Sequence, residues 1–483
     1  MVKRLKNYIG GEWVESSATT YTPVVNPATC EVLGECPEST AADVDAAAKA
    51  AQAAFEEWRS TPMLNRAQYM YRLKTLLEDR FEDLSEMVVK ENGKTRDEAR
   101  GEVRRGIESV DFAASVPVIM RNDGVEDIAA GIDETTLRQP VGVFAAITPF
   151  NFPSMVPLWF LPTAITTGNT FILKPSPQTP ISMELLFEIM EDLDLPEGVV
   201  NLVQGGKEAS MSVMEHPLVR GVSFVGSSPV ARIVYETCTK HGKRVQAQGG
   251  AKNYIAVMPD ADLSASVKNI MGAAYGCAGQ RCLAAAVVVA VGDMYDQLKD
   301  ELVKQAKGLR VGYGLNETTQ MGTVISTAAR ERITKMIEQG VQQGAQLALD
   351  GRGVTVNGFE GGNFVGPTIV ENVGSDNILA REEVFGPVLT IMKADDFNSV
   401  VDIINKSKYG NAASIFTNNG KQAREFKYRV NAGNIGVNIG VAAPSASFPF
   451  GGQKESFFGD LHGQGIDSIN FYTERKIVIE RWL

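Results

Sequence analysis

QPVGVFAAITPFNFPSMVPLWFLPTAITTGNTFILK, residues 139–174, decides the architecture. No charged residue occurs from Gln139 to Leu173. So long an apolar run invites a membrane reading. Pro140, Pro149, Pro153, Pro157 and Pro162 interrupt it, as do Gly142 and Gly168. A spanning helix tolerates an occasional proline, not five. The stretch therefore divides into a buried strand at 142–147, a turn, a buried helix and a second strand at 170–174. The same alternation continues through VVNLV (199–203), GVSFV (221–225) and RVQAQ (244–248). Strands alternating with helices predict right-handed crossovers and a parallel sheet, an architecture that often holds nucleotides.

Toward the N-terminus, residues 7–35 carry short extended runs separated by turn residues. Residues 40–115 turn helical, with a cap expected at Ser39 or Thr40 and helices at 64–80, 82–92 and 95–115. Residues 124–139 look like a small β-ribbon. Beyond Gly250 a second α/β region begins. Strands are expected at 253–258 and 284–292, with a helix carrying Cys282 between them. Further strands are expected near 364–371, 387–393, 412–417 and 433–438, and helices near 294–308, 326–341, 396–406 and 420–428. The tail SINFYTERKIVIERWL ends in an alternating strand whose partner is either the ribbon or another chain.

Composition narrows the function. The chain of 483 residues has room for two or three domains, with 44% hydrophobic and 22% charged residues. A formal net charge of −11 with no basic block argues against nucleic acid and anionic membranes. The N-terminus, MVKRLKNYIGGEW, lacks the apolar core of a signal peptide, and five scattered cysteines suit a reducing compartment, so a cytoplasmic location is expected. No CxxC pair occurs and the three histidines are not spaced with the cysteines for zinc, so no metal is expected.

Five short stretches carry chemistry. In YGCAGQRCLA (275–284), Cys282 is either a buried hydrophobe or a nucleophile, and the adjacent Arg281 cation favours the reactive thiolate. In FVGSSPVAR (224–232), Gly226 turns the chain and Ser227 can cap a helix whose N-terminus would hold phosphate, although the spacing is not GxGxxG. In TPFNFP (148–153), Asn151 is either a turn residue or an amide donor to a developing oxyanion. In LKPSPQTP (173–180), Lys174 closes a strand, where nucleotides bind in such sheets, or is simply solvated. In EEVFGPVL (382–389), Glu382 and Glu383 precede a constrained Phe385–Gly386–Pro387 loop.

These five stretches, in this order, resemble the aldehyde dehydrogenase superfamily over nearly the whole chain. The resemblance implies a Rossmann-type parallel-sheet cofactor domain (1–120 and 141–249), an α/β catalytic domain (250–450) and an oligomerisation ribbon and tail (121–140 and 451–483). It implies that Cys282 is the nucleophile and that Asn151 and the Cys282 amide hold the oxyanion. Lys174 would contact the adenine ribose, Ser227 the pyrophosphate and Glu383 the nicotinamide ribose. Thr148, Phe150, Ser176, Pro177, Gly226 and Phe385 would complete the cofactor surface. A homodimer or homotetramer follows from the same resemblance.

The departures sharpen the expectation. Members that hydrolyse their thioester carry a Glu-x-Gly-Gly motif, whereas Gln246-Ala247-Gln248-Gly249-Gly250 puts alanine at the position of the water-activating glutamate. A thiol such as coenzyme A attacks a thioester with less help than water needs. GGAKN, GQRC and the tail FPFGGQKESFFGDLHGQG (448–465) are similar to the CoA-acylating methylmalonate-semialdehyde dehydrogenases. That branch oxidises malonate or methylmalonate semialdehyde, releases CO2 and yields an acyl-CoA. Its carboxylate-binding arginines match Arg281 and Arg105. Pro177 stands where many NAD-using members have a glutamate that disfavours a 2′-phosphate, so NADP is admitted beside NAD. Tyr254 replaces the branch's usual histidine. Two alternatives stand beside this reading: a hydrolytic aldehyde dehydrogenase with another base, and a catalytically silent binding protein on the same fold.

Overall fold

A computed structural model describes residues 2–482. The strand Val143–Ile147 is buried throughout and sits near the middle of an eight-stranded sheet. Its side chains alternate between two cores. Phe144 and Ala146 join one apolar cluster with Phe171 and Leu173, while Val143, Ala145 and Ile147 join another with Ile172 and Val222. A strand covered on both faces needs this unbroken apolar run, which is why the sequence shows no polar alternation here. The helix Met155–Thr166 follows, and all of its residues are buried. Pro157 lies in its first turn, where amide protons have no intrahelical partner to lose.

Across the first sheet the order is Glu12–Val14, Asn7–Ile9, Val200–Leu202, Thr170–Lys174, Val143–Ile147, Val219–Val225, Arg244–Gln248 and Phe457–Gly459. The five central strands run parallel, and antiparallel strands close both edges. The second sheet has seven strands: Gln346–Leu349, Thr368–Glu371, Val388–Ala394, Ala285–Val291, Asn253–Val257, Ala412–Phe416 and Asn434–Val437. It is parallel except for its first strand. The expected α/β alternation is thus observed in both halves. Two edge strands were not anticipated: Gln346–Leu349 and Phe457–Gly459. Edge strands this short carry too little periodicity to be legible.

The parallel strands of the first sheet all deliver their C-terminal ends to one rim. Thr148–Asn151, Pro175–Pro177, Gly226–Ser227 and Gly249–Gly250 are the loops that leave those ends, the usual ligand position in open parallel sheets. Two capped helices approach from the N-terminal region. Thr40 caps Ala41–Ser60, and Thr95 caps Arg96–Ala114, each in a reciprocal capping box. The tail strand Thr473–Arg481 pairs antiparallel with Ile132–Pro140 along its full length, so the ribbon within the same chain is its partner. Gly124–Ala129 completes that three-stranded sheet. Among the described residues, the outer edge of Thr473–Arg481 has no pairing strand, and Ile477 and Ile479 are exposed there. None of the described helices is long and apolar enough to cross a membrane.

Candidate active site

Cys282 does not lie on a helix, contrary to expectation. The helix Leu263–Tyr275 stops at Gly276, and the chain passes through a left-handed turn in which Cys277, Ala278 and Gly279 have φ of 53°, 50° and 71°. Backbone of this hand is costly for Cys and Ala, so surrounding structure has to impose it. A Cβ on Gly279 would sit 2.1 Å from the carbonyl oxygen of Gly386, so the nucleophile loop and the Phe385–Gly386–Pro387 loop meet backbone to backbone. Glu98 accepts the Cys277 amide at 2.6 Å. The Gln280 amide oxygen accepts from Ile325 N at 3.0 Å. Beyond the turn, Asn253 and Asn411 both donate to the Cys282 carbonyl, at 2.9 and 2.7 Å. The peptide on each side of Cys282 is therefore held from several elements.

Two cavities meet at this thiol. One, of about 270 Å³, is lined by Phe152, Trp159, Phe450, Arg105, Arg281 and Cys282. The other, of about 680 Å³, is a cleft along the rim of the first sheet. Thr148, Phe150, Asn151, Lys174, Ser176, Pro177, Gly226, Ser227, Glu383 and Phe385, all singled out in the sequence, line the cleft with Cys282. Cys277 lines only the smaller cavity. Of the two cysteines, Cys282 alone touches both spaces.

Asn151 is buried, and its Nδ2 donates to the Gln280 carbonyl at 2.9 Å. A carboxamide nitrogen carries two protons, so one remains beyond that bond. The loop that carries Asn151 is anchored by a buried ion pair that sequence inspection did not identify. Lys94 and Glu102, 1% and 0% exposed, meet at 2.5 Å. Lys94 Nζ also donates to the Asn151 carbonyl at 2.8 Å, and Glu102 accepts the amides of Ser154 and Met155 at 2.8 and 3.2 Å. Asn92 donates to the Phe150 carbonyl at 2.9 Å. Glu98 and Glu102 lie four residues apart on one face of Arg96–Ala114, so a single helix grips both the cysteine loop and the asparagine loop. Lone polar residues with partners elsewhere in the chain have no sequence signature, which is why Asn92, Lys94, Glu98, Glu102, Asn253 and Asn411 were missed.

The electrostatics correct a second expectation. Burial and the neighbouring Glu383 carboxylate push the Cys282 thiol up to about 12, while Arg281 and the backbone amides of Cys282 and Leu283 pull in the other direction. Arg281 therefore does not by itself deliver a thiolate. Its guanidinium turns back onto the carbonyls of Gly272 and Ala273, and among the described residues its Nε has no partner. Cys277 is likewise raised, to about 11, chiefly by burial. Burial also lifts Glu383 to about 7, opposed by the Ala251 amide at 2.9 Å and by Lys252 and Arg332. Glu382 faces outward onto Lys408 at 2.8 Å, so the two adjacent acids have different fates. Arg105 lines the smaller cavity and donates to the Pro444 carbonyl.

The cleft suits a dinucleotide. Ser227 occupies the N-cap position of Ser228–Lys240, but its side chain makes no capping bond, so the first amides of the helix are left for a ligand anion. Ser228, not Ser227, is the tethered residue, donating to the Glu455 carbonyl and accepting the Gly250 amide at 2.9 Å. A Cβ at Gly226 would strike the Phe224 ring, and one at Gly250 would reach Glu383 at 2.4 Å. Lys174 Nζ is buried on the carbonyls of Pro175 and Gly205, and that burial lowers it to about 8. Pro177 stands second in a turn closed by the Thr179 amide on the Ser176 carbonyl at 3.2 Å.

The position expected to activate water is inert. Ala247 is fully buried in the strand Arg244–Gln248 and belongs to the cluster containing Val222 and Phe224. Among the described residues, the carboxylates lining the two cavities are Glu98, Glu102 and Glu383. The first two are committed to backbone amides and Lys94.

The aldehyde dehydrogenase family profile matches residues 13–478. The chain is similar to malonate-semialdehyde dehydrogenase 2 of Geobacillus kaustophilus (strain HTA426), with 47% identity covering 100% of this chain and 99% of that one. Among solved structures it resembles methylmalonate-semialdehyde dehydrogenase from Oceanimonas doudoroffii, with a TM-score of 0.98, 41% identity and coverage of 100% and 99%. A Sinorhizobium meliloti 1021 structure complexed with NAD matches with the same TM-score, identity and coverage.

Proposed function

Because the chain belongs to the aldehyde dehydrogenase family, we propose that it oxidises a carboxylate-bearing semialdehyde, malonate or methylmalonate semialdehyde, and passes the acyl group to coenzyme A. The observation that carries this reading is the position of Cys282 between an arginine-lined cavity and a dinucleotide-sized cleft. The substrate enters the smaller cavity with its carboxylate toward Arg281 and Arg105, since guanidinium groups pair well with carboxylates. Cys282 Sγ gives up its proton and adds to the aldehyde carbon. The carbonyl oxygen becomes an oxyanion that Asn151 and the Cys282 amide stabilise. NAD, when bound in the cleft, accepts the hydride, leaving an acyl thioester on Cys282. The thioester carbonyl lies β to the substrate carboxylate, so CO2 departs leaving its electron pair on the α-carbon as an enolate, which takes up one proton to give a simple acyl group for transfer. A CoA thiol displaces Cys282 and releases the acyl-CoA. Lys174, Ser176 and Ser227 serve the adenosine and pyrophosphate end of the cofactor, and Glu383 the nicotinamide ribose.

What surrounds the thioester supports coenzyme A as the acceptor. The Ala247 methyl group packs into the sheet core and lines neither cavity, and Glu98 and Glu102 are occupied, which leaves Glu383, among the described residues, as the one carboxylate lining the cavities that could serve water. Mixing enzyme, NAD and malonate semialdehyde without CoA should therefore give a burst of about one NADH per site and then a slow rate. Adding CoA should restore steady turnover with acetyl-CoA as product. Rapid CoA-independent formation of a free acid would overturn the proposal. Glu383 favours that second reading specifically. Its carboxyl, raised to about 7, lines the cleft and would be the base of a hydrolytic enzyme, so Glu383→Gln would then abolish acid formation.

Pro177 bears on cofactor choice. It lines the cleft next to Lys174 and Ser176, with no acid at that turn to repel a 2′-phosphate. Discrimination between NAD and NADP should be weak, with NAD preferred. Pro177→Glu should raise KM for NADP selectively, and the turn tolerates the change because its second position accepts most residues. Equal losses for both cofactors would place residue 177 away from the ribose. The open edge of Thr473–Arg481 further supports assembly into a homodimer or homotetramer through ribbon pairing.

A further inference from the structure

The loop between the strand Phe457–Gly459 and the helix Gly465–Tyr472 contains a residue to which the mechanism above gives no role. Gln464 has φ 66° and ψ 172°, a region of backbone space that is essentially reserved for glycine. The conformation is imposed from both sides. Gly463 and Phe450 exchange backbone hydrogen bonds at 3.1 and 2.6 Å, and the Gly465 amide donates to the Ala446 carbonyl at 3.1 Å. Gly463 and Gly465 leave no room for adjustment, because a Cβ at either would lie 2.6 Å from Gln248 Nε2 or 2.8 Å from the Ser447 carbonyl. Glycine at 464 would adopt this backbone freely, yet the chain places a long amide there.

The oxygen of that amide is itself unsatisfied. Gln464 is 4% exposed, and among the described residues its Oε1 has no hydrogen-bond partner. A buried carboxamide without a partner is destabilising, as is the backbone that holds it. Both costs fall on one residue, and that residue lines the same cavity as Cys282, Arg105 and Arg281. Arg281 Nε, in the wall of the same cavity, is also buried without a partner. Gln464 thus joins Arg105 and Arg281 in the lining of one small cavity, and polar side chains gathered there are the complement of a polar ligand end. A carboxamide can present either its oxygen or its NH2 by a half-turn of its terminal torsion, and toward an anion the NH2 is the matching face.

We propose that Gln464 is a specificity-determining residue that donates a hydrogen bond to the substrate carboxylate beside Arg281. The inference rests on the carboxylate-bearing substrate proposed above and names a residue that reads it. It assigns to the tail of the chain a direct part in selecting the substrate, in addition to its packing.

The test compares malonate semialdehyde with 3-methylbutanal and propanal, the first matched in heavy atoms and the second in carbon chain but both without the charge, by NADH formation in the intact enzyme with CoA present. Gln464→Met keeps the length and removes the amide. Gln464→Gly removes the side chain and suits the left-handed backbone, so Tm should hold or rise. Both should lower kcat/KM for malonate semialdehyde about tenfold or more, mainly through KM, and change either neutral aldehyde by less than about twofold. Gln464→Glu, which faces one carboxylate with another, should be worse than either. If both variants keep the wild-type ratio between charged and neutral substrates while Arg281→Leu collapses it, Gln464 does not read the carboxylate and the inference fails alone. Equal losses for charged and neutral substrates would likewise overturn it, by reducing Gln464 to a packing residue. If the wild-type enzyme shows no preference for the charged substrate, the inference falls together with the reading it rests on.

Discussion

Cys282→Ala is expected to eliminate NADH formation, burst included, while NAD binding followed by fluorescence or calorimetry stays near wild type. Cys277→Ala should keep substantial activity. The contrast does not come from thiol acidity, because burial raises both thiols and Cys277 is the less perturbed of the two. It comes from position: only Cys282 touches the cleft as well as the small cavity. A thiol reaching about 12 has a thiolate fraction that grows tenfold per pH unit well below that value. Alkylation of Cys282 by iodoacetamide in the free enzyme should therefore accelerate about tenfold per unit between pH 7 and 10, with no plateau. Glu383 works against the rise near its own midpoint, since its ionisation at about 7 adds a negative charge near the sulfur, so the slope should be shallower around pH 7 than at pH 8 to 10. A labelling curve that levels off near pH 7 would mean that Arg281 and the loop amides prevail over burial. A dead Cys277 variant beside an active Cys282 variant would mean that the wrong thiol has been assigned.

Asn151→Ala should slow the chemical step by ~10²- to 10³-fold, the usual consequence of losing one oxyanion donor. Single-turnover NADH formation is the measurement, because it isolates that step from acyl transfer. Cofactor affinity should change little. Asn151 contributes one side-chain amide to the wall of a cleft that many other groups build. The backbone here is anchored independently of the side chain, through Lys94 on the Asn151 carbonyl and Glu102 on the Ser154 and Met155 amides. Removing the amide should therefore not displace the loop. Unchanged single-turnover rates with a large loss of NAD affinity would assign Asn151 to cofactor binding and leave the oxyanion to the Cys282 amide alone.

The contrast between what was legible and what was not follows from how each feature is encoded. Parallel strands buried on both faces need continuous apolar runs, so Val143–Ile147 and Thr170–Lys174 announce themselves locally, as do the glycine and proline turns that leave them. The residues lining the cleft sit at the ends of those strands, so finding the strands located them too. The ion pair Lys94–Glu102, the paired asparagines on the Cys282 carbonyl and the strained Gln464 had no such trace, because each depends on a partner distant in the chain. The same holds for the state of the nucleophile. Arg281 is adjacent in sequence and argued for a thiolate, yet Glu383, a hundred residues later, and burial by both halves of the molecule argue against it more strongly. Local pattern sufficed for the α/β alternation, the order of the loops at the rim and the identity of the groups on them, because backbone periodicity and turn chemistry act over a few residues. Which of those groups meet, which thiol spans the two cavities and which charges surround it emerge from three-dimensional packing, because burial and electrostatics depend on distance in space and not on separation along the chain.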